Sequence, residues 1–241
     1  MTGTYLNAVA VAAGSVAGVS VGGRLPARLR ETVMHVIALV TLALGADMAL
    51  KGRQPVVFLL SLIVGAVLGE VLDLEGRIEC LGAAAERLLQ RDGEGGRERG
   101  RFAAGFVSSS VLFCVGPITL LGCLQDGLGQ GFDILAVKST LDGISSVALA
   151  AVFGWGVGLS TLTVLLLQGA LTLGAGWLQP YLGSAGAQAE LFATGGVLML
   201  GLGLRLLELR RIRVANLLPA LLLAPLFYRL GEALGWLAGS G

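Results

Sequence analysis

Lys138, Asp142 and Ser146 stand at i, i+4 and i+8 in the stretch KSTLDGISSVALA, with Ser139 and Gly143 beside them. On a helix that spacing puts an ammonium, a carboxylate and a hydroxyl on one stripe. Such a set can hold a small cation, a small zwitterion or a proton. A second polar block lies just upstream, in FVSSSVLFCVGPITLLGCLQDGL. It carries Ser108, Ser109 and Ser110, the Gly116-Pro117 dipeptide, and Gln125 with Asp126. Proline removes a backbone donor and crowds the carbonyl four residues earlier, so a helix here kinks or opens and frees the Phe113 carbonyl. The serines can bond back to their own helix or line a path.

The surrounding chain is what makes these residues unusual. Of 241 residues, 55% are apolar and 14% charged, and the mean hydropathy is +0.82. Apolar runs of roughly 20 residues recur along nearly the whole length, as a hydrocarbon slab of ~30 Å demands of helices. The fold class expected is all-α, a polytopic transmembrane helical bundle with the lipid bilayer as its solvent. The arginines fall in short clusters without interleaved aromatics, which excludes a nucleic-acid partner. Cys80, Cys114 and Cys123 form no CxxC and His35 is the only histidine, so no metal site and no cofactor is expected.

Apolar windows predict about eight spans, over 4–22, 31–50, 55–74, 102–125, 132–153, 158–179, 189–208 and 213–238. The fourth is broken at Gly116-Pro117 and the eighth carries Pro219 and Pro225, so either can be re-entrant, and seven spans is the alternative. The N-terminal run lacks a preceding basic region and reads as a retained first span. Arg24, Arg28 and Arg30, the tract RDGEGGRERGR, and Arg210, Arg211 and Arg213 fall on one side of an eight-span chain. That side is expected to be cytoplasmic, with both termini outside. Residues 75–101 read as a cytoplasmic amphipathic helix, with Ile78, Leu81, Ala85, Leu88 and Leu89 on one face, followed by a charged linker.

An offset of 158 residues lays Gly45 over Gly203, Arg53 over Arg211 and Val56 over Val214, and a slightly larger one lays Asn7 over Gln168. Within one membrane domain this divides the chain into a first three-span repeat over 4–74, a central polar pair over 102–153 and a second repeat over 158–238. The two repeats would start from opposite sides, giving the inverted 3+3 arrangement common in secondary transporters.

In span five, Asp142 lies roughly 13 to 15 Å below the span's start, near the bilayer centre. A carboxylate there costs ~2.5 to 3.5 kcal/mol on insertion scales and needs a partner. Lys138 is one turn away, either as a structural latch or as the partner of a working carboxylate. Asn7, Gln168 and Asn216 are secondary candidates, since single amides often only bond across helices. Glu70 and Asp73, with Arg77, read as a solvated cluster at a span end. Gly14, Gly18 and Gly22, and likewise Gly65 with Gly69 and Gly154 with Gly158, form small-residue faces suited either to packing within one chain or to a homodimer.

The blocks GTYLNAVAVAAGSVAGVSVGGRLP, LGEVLDLEGRIE, FVSSSVLFCVGPITLLGCLQDGL, KSTLDGISSVALA and IRVANLLPALLLAPL together resemble the domain of unknown function 554 family of bacterial inner-membrane proteins, the YqgA/YdfK-like group. The resemblance implies a multi-pass plasma-membrane protein and carries no substrate with it. Pro117 departs from that family's pattern, in which a small residue commonly follows the glycine. The residues and the resemblance together lead to an expected secondary transporter or ion pathway for a small cation or zwitterion, not an enzyme. Asp142 and Lys138 form its centre, and Ser108 to Ser110, Gly116, Pro117, Gln125, Asp126, Ser139 and Ser146 lie around it. The alternative is a non-transporting scaffold or assembly protein.

Overall fold

The computed structural model describes residues 1–22, 26–78, 80, 96–114, 117–210 and 212–236, and among them every regular element is helical. Ten helices with both ends described follow in order, residues 74–78 being helical besides: α1 (Thr2–Gly22), α2 (Ala27–Ala49), α3 (Pro55–Val71), α4 (Gly96–Cys114), α5 (Pro117–Gly127), α6 (Asp133–Phe153), α7 (Trp155–Leu173), α8 (Ala175–Leu182), α9 (Ala185–Leu206) and α10 (Pro219–Ala233). A 3₁₀ turn at Val214–Leu217 precedes α10. Arg24, Arg211, Gly116 and 81–95 of the expected surface helix and linker lie outside the described residues.

Among the described residues six helical stretches are long and apolar enough to cross a membrane, the last being the 3₁₀ turn with α10, and a seventh span results if α4 and α5 are taken as one. The axes of that pair, Arg101–Cys114 and Ile118–Gly127, differ by 61°. The break falls where the sequence places it, between Cys114 and Pro117. The third expected span is the 17-residue α3, about 26 Å long at 1.5 Å per residue and thus short of the ~30 Å slab. The sixth divides at Gly174 into α7 and α8, and the eighth opens with the 3₁₀ turn. Helix starts follow local chemistry: Pro55 begins α3 at a position that needs no donor. Ser184 caps α9 by accepting the Ala187 amide at 3.2 Å. Gly154 joins α6 to α7 with a φ of 78°, a backbone state that glycine adopts without steric cost.

Two helix groups carry the core. In the first, α1, α4, α6 and α7 enclose Val11, Phe113, Leu149, Val157 and Val164. Helices α1 and α6 run parallel in backbone contact. A Cβ built on Gly14 would lie 2.3 Å from the Gly143 carbonyl oxygen, and those on Gly18 and Gly22 would lie 2.3 and 2.5 Å from the Val147 and Ala151 carbonyls. The GxxxGxxxG face of α1 is therefore used inside the chain. In the second group α2 packs antiparallel on α9, with Gly45 against Gly196 and Gly203 against Ala38. There too α3 packs antiparallel on α10, with Gly65 against Ala220 and Gly69 against Asn216. Val107, Val111, Leu198 and Leu202 fill the seam where α4 meets α9.

Candidate functional site

Close packing of α1 on α6 positions the central polar cluster. Lys138 and Asp142 occupy adjacent turns of α6, and their side chains form a buried ion pair through Asp142 Oδ2. The same oxygen accepts the side-chain amide of Asn7 at 2.9 Å. Asp142 is 7% exposed, Lys138 5% and Asn7 0%, so the cluster lies inside the helix bundle. The pair is electrically neutral overall, which makes a buried ammonium and carboxylate tolerable together and costly apart.

Orienting its amide nitrogen to Asp142 leaves Asn7 Oδ1 buried without a partner among the described residues. On α7, the buried Gln168 has neither amide atom bonded among them. Thr4 and Thr172 share a hydrogen bond of 3.1 Å between α1 and α7, and Val11 meets Val164 in one core cluster. That antiparallel register sets Asn7 opposite Gln168. Unpaired buried polar atoms each cost ~1 to 3 kcal/mol, so amides left unbonded at one level of α1 and α7 would gain from a small polar or charged guest that reached them.

Several expected site residues have local partners instead. Ser109 donates to the Gly105 carbonyl at 2.7 Å, Ser139 to Leu135 at 2.6 Å and Ser146 to Gly143 at 2.8 Å. These serines satisfy their own helices. Ser110 crosses to Thr163 Oγ1 at 3.1 Å, while Ser108 lines a cavity of about 490 Å³ together with Glu31, His35, Arg205 and Glu208. Pro117 begins α5, and the Phe113 carbonyl that it leaves unbonded accepts the Thr119 hydroxyl at 3.3 Å. The carbonyl on which a broken-helix ligand would depend is thus already engaged. Gln125 bridges the 127–133 turn, accepting the Ile134 amide and donating to the Gln130 carbonyl, each at 3.4 Å. Asp126 accepts the Met1 ammonium at 2.8 Å and the Gly3 amide at 3.1 Å, anchoring the start of α1 rather than joining Asp142.

Two buried carboxylates were not marked by sequence. Glu75 binds the Arg205 guanidinium and accepts the Ala215 amide at 3.1 Å, while its own amide donates to Asn216 Oδ1 at 2.7 Å. Asn216 also donates to Glu70 at 2.6 Å, and Arg213 pairs with Glu70 at the surface. Asn216 is therefore a strut between the end of α3 and the start of α10. Glu70, Asp73 and Arg77 of the expected end cluster are exposed, while Glu75 between them is buried. Glu190, on α9, is wholly buried and accepts the amides of Arg53 and Gln54 at 2.8 and 2.7 Å. Its partners are backbone groups 136 and 137 residues away, beyond any spacing rule. Among the described residues no group of three His, Cys, Asp or Glu side chains is placed to hold a metal.

Helices of spanning length, sealed on one another by glycine faces and enclosing an ion pair, define a polytopic helical membrane protein. The chain belongs to the family described as Protein of unknown function (DUF554), which matches residues 2–229. It is 28% identical to the uncharacterized membrane protein YdfK of Bacillus subtilis (strain 168) over 239 residues, covering 98% of this chain and 99% of the relative. It is also 31% identical to the uncharacterized protein YqgA of Escherichia coli (strain K12) over 222 residues, covering 92% and 94% of the two chains. No solved structure matches it significantly.

Proposed function

We propose that this protein is a secondary transporter or ion pathway of the bacterial inner membrane, moving a small cation or small zwitterion and performing no enzymatic chemistry. The observation that carries the reading is the Lys138–Asp142 pair with Asn7 on it, beside buried amide atoms of Asn7 and Gln168 that have no partner among the described residues and lie at one level of the antiparallel α1–α7 pair. An intramembrane carboxylate is conspicuous because the bilayer penalises it. Here a zwitterion can bridge the pair without adding net charge to the interior, whereas a cation that takes the place of the Lys138 ammonium on Asp142 leaves the charge balanced only if that ammonium swings out to water.

Helix pairing supports an inverted repeat as the framework. The 158-residue offset relates α2 to α9 and α3 to α10, and each pair packs antiparallel. Within α2 and α9, the Gly45–Gly196 approach and the Ala38–Gly203 approach are exchanged by that same offset, as a two-fold axis through the pair requires. Asn7 and Gln168, related by the larger offset, lie at one level of the α1–α7 pair in the same manner. A site on such an axis is where repeats rock against each other. The cavity beside Ser108 is our candidate entrance from the arginine-rich face, which the charge bias makes cytoplasmic. The scaffold alternative loses one of its supports, since α1 and α3 use their small-residue faces within the chain.

The test is flux into proteoliposomes carrying a pH reporter, driven by sodium, potassium or small amino-acid gradients. Wild type is compared with Asp142→Asn and with the neutral pair Lys138→Gln/Asp142→Asn, which keeps hydrogen-bonding shape. Flux in the wild type and its loss in folded variants is the expected result. Equal behaviour of all three proteins for every solute would remove the proposal.

A further inference from the structure

Three carboxylates are buried among the described residues: Asp142, Glu75 and Glu190. The first two each hold a basic side chain, Lys138 and Arg205 respectively. Glu190 is the most buried, at 0% exposure, and forms no ion pair among the described residues. Its Oε1 takes the Arg53 and Gln54 amides at the N-terminus of α3, and its Oε2 is buried with no partner among those residues. Charged groups on the neighbouring elements have partners of their own or are exposed. Lys51 pairs with Asp47 at 2.6 Å, and Arg229 with Glu232 at 3.2 Å on α10. Arg53 is exposed on the turn between α2 and α3, and Tyr228 of α10 packs in an apolar cluster with Val57 and Ala187. No charged side chain of α4, α5 or α8 pairs with it among the described residues.

We propose that Glu190 is a proton-binding site: its carboxyl carries a proton on Oε2 in this closed arrangement and releases it to water when the α2–α3 turn parts from α9. Two neutral backbone donors cannot offset a full negative charge in a dry interior, whereas a proton on Oε2 cancels it outright. A divalent cation would find here no group of three acidic, histidine or cysteine ligands among the described residues. Glu190 is the sixth residue of α9, roughly 8 Å along the helix from its start, at the end remote from Arg205. Parting the turn admits water to Oε2, the O–H bond breaks heterolytically, and the carboxylate is left hydrated while the proton joins the solvent on that face. Closing the turn requires the proton back. The site thus makes closure of one membrane face depend on proton uptake, and this holds whether or not Asp142 carries a solute.

Infrared difference spectra of reconstituted protein provide the test. Wild type should show a protonated-carboxyl C=O band through neutral pH that shifts in D₂O. The band should disappear in Glu190→Gln and remain in Asp142→Asn. Labelling the wild type with carboxyl-¹³C glutamate moves the band without any mutation, so a variant that fails to fold leaves the experiment decisive. No glutamate-sensitive band, a band that follows Asp142, or a band abolished by sodium ions would each overturn the proposal. These outcomes do not depend on flux.

Discussion

Asn7 and Lys138 converge on one oxygen of Asp142, so α1 supplies a neutral donor to a carboxylate whose charge is already balanced on α6. Removing the ammonium leaves a buried negative charge with one amide. Lys138→Met should cost about 3 to 5 kcal/mol, and adding Asp142→Leu should recover most of it. Asp142→Asn should cost less, because a lysine left alone can extend its long stem toward an interface. Thermal unfolding of the four purified proteins in one detergent checks the order.

Gly14 admits no side chain. Its added Cβ would meet Ser146 Oγ at 2.0 Å and the Gly143 carbonyl oxygen at 2.3 Å, and backbone of α6 cannot rotate away as a side chain does. Gly14→Val should therefore destabilise by ~3 kcal/mol or more. Gly176→Ala, where nothing lies within 4 Å and φ is ordinary, should leave the melting temperature within a degree or two. Expression and melting of both variants test the contrast.

Two ion pairs at the arginine-rich end differ in burial and should differ in worth. Arg205 and Glu75 have side chains 20% and 8% exposed, and Glu75 also holds the Ala215 amide. Arg205→Met should cost about 3 kcal/mol by leaving that carboxylate uncompensated. Arg213 and Glu70 are 63% and 56% exposed, so Arg213→Met should cost no more than ~1 kcal/mol. Denaturant titrations of the single variants measure the difference.

His35 lines the cavity at the arginine-rich end, and Gln130 is exposed in the turn between α5 and α6. In a cysteine-free background, His35→Cys should react with a membrane-impermeant maleimide only from the cytoplasmic side. Gln130→Cys should react only from outside. Labelling of intact cells against inverted vesicles reads both, and the reverse pattern would turn the assigned orientation over.

Much of this architecture is legible in the sequence because the membrane imposes length and apolarity on each crossing. The break before Pro117 and the Lys138–Asp142 stripe were readable for the same reason: proline and charge are conspicuous where the solvent is hydrocarbon. Glu190 was not recognised, since an apolar window starting at 189 makes it look like a solvated first-turn residue. In the structure α9 starts at Ala185, and the turn before α3 covers Glu190. Glu75 carries no local signal of burial, because its partners Arg205 and Ala215 are 130 and 140 residues away. Asp126 and Gln125 share a segment with the polar blocks but serve a helix start and a turn, a distinction set by neighbours in space.

The glycine seam between α1 and α6 also bears on how the chain is made. Helix α1 leaves the ribosome well before α6, exposing Asn7 and a bare strip of backbone to lipid, and its proper neighbour is encoded about 130 residues later. Until α6 arrives, α1 must wait in the bilayer or shelter against the insertion machinery. At several residues per second that wait is on the order of ten seconds or more. Loss of α6, or a stall before it, should therefore strand an early helix with a polar amide facing hydrocarbon, a mark by which membrane quality control could recognise an unfinished chain.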